Sequence, residues 1–133
     1  MISGLSNRPP SYSASALSGG DSVIWANTTP DERALKFVDS PDRIAAAWYS
    51  TTNLTVDVSF NDGRLHQISL YFLDWDGNDF RNQTVEVWDA TRGEILDTRP
   101  VTAFSSGKYQ RWQMRGHVRF TISRNSQANV NRT

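Results

Sequence analysis

The chain has 133 residues, with fourteen basic and fourteen acidic side chains, five Trp, four Tyr, six Phe and no Cys. That length can build one hydrophobic core of ordinary size, and the balanced charge offers no net field to nucleic acid or to an anionic membrane. Without cysteine there is no disulfide, no thiolate zinc site and no thiol nucleophile.

The opening stretch MISGLSNRPPSYSASALSGG has neither a basic start nor an apolar run of signal-peptide length. No segment approaches the length of a membrane span, so membrane insertion is not expected. Residues 1–20 and 124–133 lack apolar alternation and are expected as irregular or edge segments of a single β-sandwich domain over 1–133.

Between those ends, period-two alternation dominates. Ser22 to Ala26 reads as a short strand. At Asp31 to Phe37, Thr29-Pro30-Asp31-Glu32 resembles a capped first helical turn, but a turn or short extended piece is expected. Arg43 to Tyr49 is a strand with Ile44, Ala46 and Trp48 on one face. In the run from Leu54 to Phe60, Leu54, Val56, Val58 and Phe60 share one face. Asn61-Asp62-Gly63 then supplies a turn, and His66 to Leu73 alternates Ile68, Leu70 and Phe72 against Gln67, Ser69 and Tyr71. These two runs predict a β-hairpin.

Thr84 to Asp89 buries Val85 and Val87, and Thr91-Arg92-Gly93-Glu94 turns into a strand over Ile95 to Pro100. Lys108 to Arg115 carries Trp112 and Met114 on one face, and Val118, Phe120 and Ile122 form the inner face of a last strand. Strands spaced about ten residues apart, punctuated by Gly turns, predict an antiparallel β-sandwich of about eight strands. The last strand is expected at a sheet edge, where Arg119 and Arg124 give intermittent charge and another copy could pair.

The segment Asp74-Trp75-Asp76-Gly77-Asn78-Asp79-Phe80-Arg81 leaves an apolar strand and enters a polar turn, the kind of place where a sandwich presents a binding loop. Trp75 offers a flat indole to the C–H face of a sugar, and Asp74, Asp76, Asn78 and Arg81 offer polar contacts to hydroxyls. Arg43 and Tyr49 are further candidates, and Trp25, Trp48 and Trp88 are alternative aromatics, of which Trp48 is expected in the core. Asp74 and Asp76 form a candidate calcium pair of a non-EF type, since Asp79 and Val85 stand where an EF-hand needs Gly and Glu. The competing reading makes Trp75 a lid on the core, with Asp74 and Arg81 as an internal ion pair. Neither His66 nor His117 stands in a nucleophile–base pattern, and no GxSxG or HExxH motif occurs, so no catalytic activity is expected.

From about Ser11 to Asn129 the chain resembles a bacterial galactose-binding-like β-sandwich module that recurs in large secreted proteins, often near glycoside hydrolases or adhesin-like segments. The blocks that carry the resemblance are DERALKF, PDRIAAAWYS, DVSFNDGRLHQISLYFLDWD, VEVWDATRGEILDTRPV and KYQRWQMRGHVRFTISR. The resemblance implies an extracellular or cell-surface location and attachment to a glycan or polysaccharide, or surface display with assembly through a sheet edge. Members of that family begin with a Gly/Tyr-rich strand and end with a small-apolar one, and this chain departs from the pattern at both ends. The resemblance then implies a sheet edge that is either blunted by Pro9, Pro10 and Arg side chains or paired by another chain, pairing being the expectation.

Overall fold

In the computed structural model, residues 11–36, 42–50, 53–75, 82–124 and 131–132 are described. They form eleven strands and no helix: β1 (Ser13–Ser18), β2 (Asp21–Thr29), β3 (Leu35–Lys36), β4 (Arg43–Ser50), β5 (Asn53–Phe60), β6 (His66–Phe72), β7 (Gln83–Asp89), β8 (Glu94–Val101), β9 (Lys108–Met114), β10 (His117–Arg124) and β11 (Asn131–Arg132). Every pairing is antiparallel. The chain is an all-β sandwich, as the alternation predicts. Its strand count exceeds eight because edge pieces at both ends pair with the body, and because the turn after β2 runs into β3 at Leu35–Lys36.

One layer is a five-stranded sheet in the order β1-β5-β10-β7-β8. Strand β4 pairs with β2, β3 and β11, and β6 pairs with β9. The inner residues of the five-stranded sheet include Leu54, Val85, Val87, Val101, Val118, Phe120 and Ile122, all at most 2% exposed. They meet Ile68, Phe72 and Trp112 from β6 and β9, with Trp48 of β4 packed against the same cluster. Trp112 and Phe120 join the layers edge to face at 5.1 Å, a favoured aromatic geometry.

Two expectations are corrected. Strands β5 and β6 do not form a hairpin: β5 lies between β1 and β10, while β6 pairs with β9. The alternating faces of β5 and β6 both point into the core, but from opposite layers, so the link between them crosses from one sheet to the other. Alternation looks the same in both arrangements, and the Gly63 backbone, at φ +69°, serves either. The crossing is tied by Asp62, whose carboxylate accepts the Arg64 amide and lies 2.8 Å from His66 Nε2. His66 in turn stacks on Tyr12 at 4.1 Å.

The second correction concerns β10. It is no edge: β5 and β7 flank it on both sides. Arg119 faces Asp57 across the ladder, with Nε 3.1 Å from its carboxylate, so this strand offers no free edge for assembly. Among the described strands of that sheet, β1 and β8 are the outer ones.

Candidate functional site

Five pieces of chain converge on the turn that follows β2. Within the turn, Ala34 N–H donates to the Asp31 carbonyl at 3.1 Å, and the Asp31 carboxylate accepts the Arg33 amide at 2.9 Å. The three successive carbonyls of Glu32, Arg33 and Ala34 are each held by a side chain from elsewhere. Arg43, at the start of β4, donates through Nη1 to Glu32 O at 3.2 Å and to Ala34 O at 2.7 Å. Tyr71, on β6, donates its hydroxyl to Arg33 O at 2.6 Å. Burial pushes the Tyr71 phenol up, so the proton stays on the donor. Gly107 lies against that hydroxyl with φ +85°, where any side chain would collide with the Tyr71 ring.

The turn is thus fixed by its neighbours, and it aims Arg33. The guanidinium meets Asp31 with Nη2 at 2.8 Å and Nε at 3.1 Å, and reaches Ser105 O, in the link between β8 and β9, at 2.9 Å. Its hydrogen bond holds the Asp31 carboxyl below the usual range. The same guanidinium lies 4.7 Å from the centre of the Trp75 ring, within reach of a cation–π attraction.

Trp75 in turn stacks on Trp25, with ring centres 6.0 Å apart and planes within 12°. Trp25 is the extra residue of a β-bulge. Ile24 pairs with Ala46 and Ala26 with Ala45, so nothing on β4 opposes it. Bulges re-aim a side chain out of the ladder, and this one turns an indole toward the end of β6. Both indoles are half-buried. The result is a wall of two near-parallel rings flanked by an Asp–Arg pair whose side chains are each 31% exposed.

The residues singled out from sequence fall into separate groups. Trp75 belongs to this wall. Asp74, one residue before it, is fully buried and donates its amide to Phe104 O at 3.1 Å. A surface sugar cannot reach its carboxylate there, which corrects its assignment as a hydroxyl contact. Its charge favours the Arg33 cation, behind the Asp31 contact. Arg43 is near the site, but as the clamp on the turn. Tyr49 lies six residues along β4, about 20 Å away, opposite Asp21 at the other end of the strand, so the sandwich does not bring it to Trp75. Asp76, Asn78 and Arg81 lie outside the described residues, and with Asp76 goes half of the candidate calcium pair.

Arg33, Asp31 and Tyr71 were not singled out from the sequence, and Trp25 stood only among several Trp candidates. A signal existed for Arg33, which sits just past the Thr-Pro-Asp turn, in the DERALKF block. Trp25 carried none, because nothing local announces the bulge.

No family model matches the chain, and no curated protein matches it. Among solved structures it is similar to TmCBM61, determined in complex with beta-1,4-galactotriose, at 11% identity and a TM-score of 0.44, over 92% of this chain and 83% of that one. It is also similar to a family 35 carbohydrate binding module from Clostridium thermocellum, at 9% identity and a TM-score of 0.40, over 90% and 95%.

Proposed function

We propose that this chain is a non-catalytic carbohydrate-binding module of an extracellular bacterial protein, and that it holds glycan against the Trp25–Trp75 wall. The carrying observation is that pair of near-parallel, half-buried indoles beside the partly exposed Asp31–Arg33 pair. Indole faces suit the C–H face of a sugar ring, and the carboxylate and guanidinium suit its hydroxyls. The turn is locked by Arg43 and Tyr71 before any ligand arrives, so little ordering cost falls on binding. Asp76, Asn78 and Arg81 are proposed as further polar contacts from the loop that follows Trp75. The bacterial, extracellular setting rests on the sequence resemblance.

A glycan array with the purified chain tests the reading, run once with calcium and once with EDTA because Asp74 and Asp76 are the proposed calcium ligands. Trp75→Ala and Trp25→Ala should each weaken the best glycan by about 1–3 kcal/mol, as an aromatic at an interface centre does, while the fold survives a thermal melt. A folded Trp75→Ala protein that binds normally would remove the site. Hydrolysis of any array glycan would remove the non-catalytic part.

A further inference from the structure

The outer face of the β6–β9 pair carries a different chemistry from the Trp wall, which it adjoins at Tyr71. Ile68 and Phe72 on β6 and Trp112 on β9 point into the core. Their alternates, Gln67, Ser69 and Tyr71 on β6 and Tyr109, Arg111 and Gln113 on β9, therefore stand on the opposite face. The register sets them in three direct rungs: Gln67 opposite Gln113, Ser69 opposite Arg111, and Tyr71 opposite Tyr109. From the phenol rung to the amide rung the strip runs about 13 Å, long enough for more than one sugar ring.

Tyr109 is 47% exposed, with its ring 4.6 Å from that of Tyr71. Arg111 holds its guanidinium 5.0 Å from the Tyr109 ring centre. No carboxylate or carbonyl among the described residues engages that guanidinium. The contrast with its neighbours is sharp: Arg33, Arg99 and Arg119 each meet an aspartate. Neither HQISLYF nor KYQRWQM contains an acid. Exposed Arg64 and Arg115 flank the amide end, where Asp62 is turned to His66. In a chain of zero net charge this face is locally positive.

We infer that this face binds an acidic polysaccharide laid along the strands. A sugar ring packs against the exposed part of Tyr109, whose ring the Arg111 guanidinium partly covers. A carboxylate of the polysaccharide sits on the Arg111 fork, and Ser69, Gln67 and Gln113 take hydroxyls. A planar carboxylate matches two parallel guanidinium N–H groups. A flat, wet, uncharged-to-basic strip with an open aromatic suits a sugar polymer better than an apolar peptide.

Affinity electrophoresis of the whole chain in gels containing polygalacturonate, dextran or dextran sulfate tests this. Retardation is expected in polygalacturonate and not in dextran. Arg111→Gln and Tyr109→Ala, both at exposed positions and checked by thermal melt, should each weaken it about tenfold, ~1.4 kcal/mol. Trp75→Ala should leave it intact, which separates this face from the Trp wall. Arg111→Lys keeps the charge and loses the fork, so it should bind more weakly than wild type. No retardation of the wild type, an unchanged Arg111→Gln, or loss in Trp75→Ala would each overturn the inference. Stronger retardation by dextran sulfate, with Arg111→Lys at full strength, would overturn it too, by showing charge alone at work.

Discussion

A single carboxylate, that of Asp97, closes one flank of the sandwich. Trp112, only 4% exposed, donates its indole N–H to Asp97 Oδ2 at 2.8 Å. Arg99 Nε reaches the same oxygen at 2.7 Å, and its guanidinium covers the Trp112 ring at 4.4 Å. The indole hydrogen bond first, and Arg99 after it, hold the Asp97 carboxyl below its usual range. A carboxyl with a lower pKa folded than unfolded contributes stability above about pH 4, and that contribution is lost as pH falls through the folded-state value. Asp97→Asn should therefore cost about 1 kcal/mol at pH 7, a modest figure because the group is a third exposed and screened. Urea midpoints at pH 7 and pH 3 give the check: the gap between wild type and variant should narrow in acid. A gap of equal size at both pH values would show that the charge of Asp97 is immaterial.

Among the elements, the link from β5 to β6 separates the alternative topologies most cleanly. A hairpin needs its turn length to keep register. A link between layers does not, because β5 is registered by β1 and β10, and β6 by β9. Two glycines inserted between Asn61 and Asp62, which keep the Asp62–Arg64–His66 tie together, should therefore cost about 0.6 kcal/mol or less, the entropy of a slightly longer loop. A urea melt measures the loss. Collapse of the transition would restore the hairpin. The edge strands are handled differently from one another: β8 carries Asp97, Arg99 and Pro100, together with a register shift opposite Val87/Trp88, features that discourage edge pairing. Strand β1, SASALS, carries no charge and no proline.

At the scale of the whole molecule, the ladders join distant parts of the chain. Ser18 pairs with Thr55, Leu54 with Ile122, and Phe72 with Lys108. The β1–β2, β4–β5, β7–β8 and β9–β10 links are short, but of these strand pairs only β7 and β8 pair with each other. Closing long loops before contacts reward them slows folding. Refolding followed by Trp fluorescence should accordingly take milliseconds to seconds, as for other sandwiches. Microsecond refolding would contradict this topology.

The sequence by itself determined the class of fold and most of the core. Alternation marks Leu54, Ile68, Phe72, Val85, Val87, Val118, Phe120 and Ile122, and each is buried; Val56, Val58 and Leu70, marked by the same rule, are only partly buried against that core. It did so because the side-chain period of a strand is two wherever the strand lies. It also marked Trp75 as a residue leaving a strand into a polar loop. Partners were decided only in three dimensions. Alternation says which side of a strand is apolar and nothing about its neighbour, so β5 and β6 read as a hairpin and β10 as an edge. The candidate site depends on the same missing information: Trp25 is aimed by a mismatch between β2 and β4, and Arg33 by carbonyls held from β4 and β6. Those are contacts between segments far apart in the chain, and no local pattern of residues encodes them.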